Sequence, residues 1–399
     1  MEQIHKHLES SELFNQIRLL LFKKNPKIFE LIDFDNQEIY KEPLLYAFFT
    51  SQNDDSILDQ ILVAYKKNKN QVARVITDEK GRLYFPNIGW FVTKLKKTPM
   101  IFYKESFCLK NEQNQENIEF QFEGLSYING TKIELLKYPI SLLKQFYFNV
   151  EGKEINVEIT EITKAHYQNV TKAYNILKKY VPDQFDLIEK YAGKCVIFNV
   201  DTYQRNSFAH ISAQGIGFYN AYQKDYNEVF FVDDIAHQTG HVILNTITYN
   251  SEFFFKVDKN TIIDKIQQPD GTVVENRDLL IVFHALYTYY TSFICLNACL
   301  INNVFLKQKK HEVLGRMAFY INKCYFDLLL IDNPLNSEIN AKRYMTENGL
   351  EVLRVIKNKW FEMSEKWSPI TQDFNMTNQP YNFTYSKFAE LNPLDETVN

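Results

Sequence analysis

Long helical segments in the C-terminal half most constrain how this chain of 399 residues can fold. Apolar residues recur at helical spacing in a segment that begins near Glu228, and again over 277–301, 311–331 and 340–367. Asn333-Pro334 and Ser368-Pro369 predict helix ends, because the residue before a proline disfavours the helical conformation. The polar tail beyond Pro369 predicts irregular structure.

The N-terminal half has a different character. Residues 1–80 have helical periodicity, whereas 81–160 contain alternating β-branched and aromatic runs. Asn129-Gly130 and Glu151-Gly152 are typical of hairpin turns. Helical spacing returns from Thr163, with a break at Pro182, and 194–200 form a short apolar strand. We expect an α+β fold that is predominantly helical, with a small, mostly antiparallel sheet in the N-terminal half and domains at 1–160 and 161–399.

Composition and charge exclude several classes of protein. The net charge is −4, with a pI near 6.1, so no bulk basic surface attracts nucleic acid. The five cysteines are odd in number and form no CxxC pair, which favours free thiols in a reducing compartment. The N-terminus has no apolar signal core, and no apolar stretch is judged long enough to span a membrane. The sequence therefore predicts a soluble, cytoplasmic protein.

The most informative motif is His237-Gln-Thr-Gly-His241. Two histidines four residues apart on a helix project to the same side, which is how a helix presents two imidazoles to one metal ion. The motif differs from the HExxH of zinc peptidases at one position. Gln238 cannot act as the carboxylate base that activates water in those enzymes. The motif therefore predicts a metal site that performs other chemistry.

A third ligand is needed, and His284 is the candidate. It lies in an apolar predicted helix, where a hydrogen-bonded core histidine is the alternative interpretation. Arg277 precedes it by seven residues, so a continuous helix would place both side chains on one face. Three neutral imidazoles suit zinc or non-haem iron. Iron with a 2-oxo acid needs a cation for the distal carboxylate, which Arg277 can supply bidentately.

Two aspartates lie one turn before His237. Asp233 and Asp234 either orient an imidazole or complement the positive end of the helix dipole, and the sequence does not decide between these roles. For zinc hydrolysis, Asp234 or Glu275 could replace the missing base. Arg316, in a later helix, is either a packing residue or a ligand for a substrate carboxylate.

The chain resembles a family of peptide-modifying proteins over 195–360. Carrying the resemblance are VDDIAHQTGHVILN, NRDLLIVFHALYTYY, HEVLGRMAFYINKCYFDLLLID and YMTENGLEVL, in that order. They are similar to the HExxH-motif peptide-modification proteins, which include peptide β-hydroxylases from clusters that make ribosomally synthesised, modified peptides.

The resemblance implies iron(II), 2-oxoglutarate and O2 as cofactors and a ribosomally synthesised precursor peptide as substrate. His237, His241 and His284 are the implied metal ligands, and Arg277 matches the arginine of the family's Arg-x(6)-His helix; we infer from its charge and position that it binds 2-oxoglutarate. Gln238 and Asp234 are the candidate catalytic positions. The resemblance does not extend to residues 1–160, whose predicted aromatic strands lead us to expect that they bind the leader of the precursor peptide.

Two alternatives remain. One is a zinc-dependent hydrolase with a displaced general base. The other is a non-catalytic peptide-binding protein with a degenerate metal motif. Metal content separates the three hypotheses, because they require iron, zinc and no metal respectively.

Overall fold

The predicted α+β class is confirmed by the computed structural model, which describes residues 12–51, 55–67, 72–149, 151–223, 225–267, 273–332 and 340–394. The helices are α1 (Glu12–Lys24), α2 (Ile28–Leu31), α3 (Gln37–Tyr40), α4 (Pro43–Phe49), α5 (Asp55–Leu62), α6 (Thr160–Tyr180), α7 (Pro182–Tyr191), α8 (Glu228–Ile247), α9 (Leu279–Ile301), α10 (Lys307–Ile331), α11 (Glu347–Thr371) and α12 (Tyr385–Leu391). The first residues of the chain, for which the sequence predicts no signal peptide, lie outside the described residues.

The strands are β1 (Val72–Ile76), β2 (Arg82–Phe85), β3 (Gly89–Val92), β4 (Pro99–Tyr103), β5 (Cys108–Asn111), β6 (Asn117–Ile118), β7 (Gln121–Gly124), β8 (Glu134–Leu135), β9 (Lys194–Phe198), β10 (Ile216–Asn220), β11 (Ile262–Gln267) and β12 (Val273–Asp278). The prediction of helix up to residue 80 is wrong at β1. Ala73 and Val75 are buried there while their neighbours are exposed. This alternation of buried and exposed residues is that of a strand and not of a helix.

Two antiparallel sheets form the predicted sheet region. Their strand orders are β1-β4-β5-β6 and β2-β3-β7. Both contribute alternate side chains to one apolar core, because successive residues of a strand point to opposite faces. The core contains Ala73, Val75, Leu83, Phe85, Phe91, Met100, Phe102 and Leu109.

A third sheet, β8-β9-β10, is parallel, which the sequence did not predict. All five residues of β9 are buried, as is typical of a central parallel strand. Its first residue is nevertheless charged: Lys194 is only 7% exposed. The predicted helix break at Pro182 is confirmed, because α6 ends at Tyr180 and α7 begins with the proline.

The C-terminal helices match the predicted segments with shifted ends. Helix α8 begins at Glu228 as expected, and α10 begins four residues before the predicted His311. Helix α11 contains Pro369 in its last turn, so the helix end predicted at Ser368-Pro369 is wrong. The prediction of an irregular tail is also wrong at α12, which buries Tyr385 and Phe388.

Helices α8 and α9 pack closely where glycine occupies the motif. A Cβ atom on Gly240 would lie 2.7 Å from Thr291 Oγ1. That hydroxyl donates a hydrogen bond to the carbonyl of Ala236, at 2.8 Å, across the helix pair. The small residue inside the His-x-x-x-His motif therefore sets the distance between the two helices.

Helix α9 corrects the prediction that no apolar stretch can span a membrane. Its 23 residues are long and apolar enough by length and composition. However, 72% of its most apolar window is buried inside the protein. This is the burial of a core helix, and the apolar character follows from packing on several sides.

The chain divides into two compact units. One contains Gln168–Ile188 and the described part of Asp225–Asn399; the other contains the described parts of Ser11–Tyr167 and Glu189–Lys224. Helices α6 and α7 each contribute residues to both. The domain boundary expected at 160/161 stays a prediction.

Candidate metal-binding site

The two motif histidines lie on the same side of α8. The helix is capped by Asn227, whose side chain accepts a hydrogen bond from the amide of Val229, at 2.7 Å. One turn separates His237 from His241, and their ring centroids are 5.1 Å apart. Both side chains are partly exposed, although the helix is otherwise largely buried.

His284 of α9 faces His241. Their Nδ1 atoms are 3.3 Å apart and the ring planes differ by 18°. Two nitrogen ligands at roughly 2.0–2.1 Å from one zinc ion are about 2.8–3.4 Å apart when the angle between them is 90–109°. The separation therefore fits a pair of cis ligands as well as a hydrogen bond. Packing of α8 on α9 brings two predicted ligands, 43 residues apart in sequence, together.

His237 is the third predicted ligand. Its Nδ1 atom is buried and makes no hydrogen bond, which leaves a lone pair or an N–H unsatisfied. The ring nitrogens do not converge on one point, and the described residues contain no group of three His, Cys, Asp or Glu side chains arranged to hold a metal ion. The three imidazoles are therefore suitable metal ligands in their chemistry. In their geometry, the Nδ1 atoms of His241 and His284 are as close together as two ligands of one metal ion.

Burial keeps the three imidazoles neutral. It lowers the pKa of His241 to about 4 and, with His241 nearby, the pKa of His284 to about 3. Burial, assisted by His241 and Lys323, lowers the pKa of His237 well below its usual range. A neutral imidazole has a nitrogen lone pair to offer, so a divalent metal at neutral pH need not displace a proton from any of the three.

The two candidate catalytic residues contact each other. The side-chain amide of Gln238 donates a hydrogen bond to Asp234 Oδ1, at 3.1 Å. Gln238 is buried, whereas Asp234 is partly exposed. The glutamine therefore orients the carboxylate that precedes His237. The side chain of Glu275, the other candidate base, lies outside the described residues.

Arg277 does not lie on the helix that carries His284, and the expectation of a shared helix face is wrong. Asp278 caps α9, so Arg277 belongs to β12, where it pairs with Asp264 of β11. Its Nη1 and Nη2 atoms donate hydrogen bonds to the two carboxylate oxygens of Asp327, at 2.7 and 2.9 Å. Tyr289 also donates to Asp327, at 3.0 Å, and its ring lies 6.4 Å from that of His237. Arg277 is therefore near the histidines but engaged by a carboxylate.

Asp233 lies in a buried polar network behind the histidines. It accepts hydrogen bonds from Arg316 Nη1 at 2.8 Å, Ser292 at 3.0 Å and Tyr320 at 3.1 Å. Arg316 also binds Glu312, at 2.7 Å. Asp233 is five residues beyond the start of α8, so the interpretation that it complements the helix dipole is wrong. For Arg316, the structure supports the packing role.

Sequence reasoning missed Tyr320 and Asp327 of α10. The Tyr320 ring centroid lies 6.2 Å from that of His237, so this tyrosine links the Asp233 network to the motif. A signal was present: Arg316, Tyr320 and Asp327 are four and seven residues apart and share one face of the helix. A polar stripe on the buried face of a helix indicates partners on the helices packed against it.

Comparisons with known proteins add no assignment. No protein-family model matches the chain, and no curated protein matches it.

Proposed function

We propose that this protein is an iron(II)- and 2-oxoglutarate-dependent hydroxylase that acts on the β-carbon of a residue in a ribosomally synthesised precursor peptide, in the cytoplasm. The observation that carries the proposal is the set of three neutral, partly exposed imidazoles on α8 and α9. All five cysteines are free, which agrees with a reducing compartment.

In this proposal His237, His241 and His284 hold the metal. When bound, iron(II) supplies activation of O2: one oxygen atom enters succinate as 2-oxoglutarate loses CO2, and the other enters a C–H bond of the peptide as a hydroxyl. The chain's own task is to hold three imidazoles and leave adjacent positions open. No general base for water is required, which agrees with a glutamine at position 238.

Residues of α8 and α10 position the ligands. The carboxylate of Asp233 holds Tyr320, whose ring lies against His237. Such partners restrict the orientation of a ligating ring. Gln238 in turn fixes Asp234 at the edge of the site.

Arg277 is the proposed anchor for the distal carboxylate of 2-oxoglutarate. Because Asp327 already binds both terminal nitrogens, the co-substrate has to replace that carboxylate or share the guanidinium with it. A carboxylate-for-carboxylate exchange conserves the bidentate geometry that arginine prefers.

A zinc-dependent hydrolase is the second candidate. The observation that favours it is the position of Asp234, one turn before His237 and oriented by Gln238. This arrangement offers a displaced carboxylate as the general base.

The decisive experiment combines metal analysis with turnover. Protein purified without oxygen is loaded with iron(II) and incubated with 2-oxoglutarate, O2 and precursor peptides encoded beside its gene. We expect a peptide mass gain of one oxygen atom, and succinate formation even without peptide. His284→Gln should abolish both, whereas His311→Gln, at a histidine of α10 that is paired with the hydroxyl of Tyr385, should not. Absence of succinate, together with tight stoichiometric zinc and zinc-dependent peptide cleavage, would overturn the proposal in favour of the hydrolase.

A further inference from the structure

A cleft in the unit that contains β1 to β10 has charged residues in its floor. Its volume is about 470 Å³, within the range of small-molecule sites of roughly 300–1,000 Å³. Among its lining residues are Glu42, Glu134 and Lys194, all less than 9% exposed. Three charged groups on the buried side of one cleft require an explanation, because desolvating charge is costly.

The hydrogen bonds of this floor leave one carboxylate weakly engaged. Lys194 Nζ donates to Glu134 Oε2, at 2.6 Å, and to the hydroxyl of Tyr84, at 3.1 Å. That hydroxyl donates to the other oxygen of Glu134, at 2.7 Å. Glu134, Tyr84 and Lys194 thus form a closed set in which one negative charge balances one positive charge.

Glu42 remains outside that set. Its Oε2 atom lies 3.5 Å from Lys194 Nζ and accepts a long hydrogen bond from Tyr65, at 3.3 Å. Its Oε1 atom accepts from the amide of Leu44, also at 3.3 Å, at the start of α4. A carboxylate has about four acceptor sites, so Glu42 retains capacity for a strong donor. Burial raises the pKa of this carboxyl group, as expected for a carboxylate with incomplete compensation.

The walls of the cleft are aromatic. Tyr65, Tyr127 and Tyr191 line it together with Glu42. Aromatic faces attract cations electrostatically, and combining them with a carboxylate is a common way to bind organic ammonium groups. The buried floor has two carboxylates, Glu42 and Glu134, against the one ammonium group of Lys194, and so carries one excess negative charge. The rest of the lining is mixed, with Glu38 and Glu189 beside Lys41, Lys132 and Lys190. A cation is therefore favoured at the floor, next to Glu42.

We propose that this cleft binds a small molecule with a primary ammonium group, which donates to Glu42 while its organic portion packs against the tyrosines. Nothing in the proposed hydroxylation requires this site. It is a separate binding function of the chain.

Isothermal titration calorimetry of the full-length protein tests this with three probes of matched shape: phenethylamine, 2-phenylethanol and phenylacetate. We expect phenethylamine to bind about tenfold or more tightly than the alcohol, as befits a charge-assisted hydrogen bond, and phenylacetate not to bind. Adding the tripeptide phenylalanyl-glycyl-glycine separates two sources of the same group, because tight binding of the tripeptide indicates a peptide amino terminus and its exclusion indicates a free amine. Equal affinity for the amine and the alcohol, or no binding of the amine, would overturn the proposal without any variant.

Two matched variants locate the site. Glu42→Gln preserves the acceptor for the Leu44 amide but removes the charge, and it should abolish the preference for the amine. Glu38→Gln removes a carboxylate that lines the same cleft but is 70% exposed and paired with Lys41, and it should preserve the preference. If Glu42→Gln bound phenethylamine as tightly as the wild type, the amine would be binding elsewhere and the assignment would be wrong.

Discussion

His241 of α8 and His284 of α9 face each other with their Nδ1 atoms 3.3 Å apart, although 43 residues separate them in sequence. His237 lies one turn away on α8 and presents a buried nitrogen without a hydrogen-bond partner. The helix pair therefore places three neutral imidazoles in one region of the protein, and the contribution of each to metal binding can be tested by substitution.

His284→Gln should remove the metal while the fold remains. Losing a direct ligand costs more affinity than the roughly 10–100-fold typical of an outer partner. Elemental analysis of protein purified without oxygen should therefore fall from about one metal ion per chain to a trace. His311→Gln is the control, and it should retain the metal. Equal metal content in both variants would show that His284 is not a ligand.

Gly240→Ala should destabilise the protein by about 1–3 kcal/mol, because overpacking at a close helix contact forces backbone shifts. The added Cβ would meet Thr291 Oγ1 at 2.7 Å and Thr288 Cγ2 at 3.3 Å. Urea unfolding monitored by circular dichroism measures the change. Gly124→Ala, where a Cβ would meet nothing within 4 Å, is the matched control. A loss no larger than that of the control would contradict the proposed close packing of α8 on α9.

Asp233→Ala should cost about 3–5 kcal/mol of the free energy of unfolding, because it breaks a buried ion pair and leaves Arg316 Nη1 without its partner. Glu351→Ala removes one member of an exposed pair with Arg354, and it should cost less than about 1 kcal/mol. Denaturant titration of both variants provides the comparison. Similar losses would mean that the Asp233 network contributes no more than surface charges do.

Glu42 should make stability fall as pH rises. Burial raises the pKa of Glu42 above its ordinary value of 4.5, while Lys194 lowers it and Glu134 raises it. The folded state therefore binds a proton that the unfolded state has released, and stability is lost as pH rises from about 4.5 through the raised pKa. Glu42→Gln removes this dependence, so relative to the wild type it should gain stability towards neutral pH.

The measurement is the free energy of unfolding between pH 4 and pH 8. Glu38→Gln, at the exposed rim, should follow the wild type within about 0.5 kcal/mol at every pH. A wild-type profile parallel to that of Glu42→Gln would show that the floor of the cleft compensates the carboxylate fully.

The sequence by itself determined the long C-terminal helices and the part of the candidate site that lies on one of them. Periodicity placed the start of α8 and both ends of α9 and α10 within four residues of where they are observed, since helix formation depends on local spacing. Helix α11 begins seven residues after the predicted Asn340. The positions of His237 and His241 on one side of α8 follow from the helix repeat alone. The periodicity also predicted that α9 begins at Arg277, two residues too early. The capping role of Asp278 cannot be distinguished in the sequence from that of any other polar residue near a helix start.

Only the tertiary structure decided what those elements bring together. The contact between His241 and His284 depends on how closely α8 approaches α9, which Gly240 and Thr291 set across the interface. The partner of Arg277 is Asp327, fifty residues later, and the partner of Lys194 is Glu134, sixty residues earlier. Hydrogen-bond and charge partners of this kind are chosen by packing and desolvation, which act on side chains adjacent in space and leave no periodic trace in the sequence.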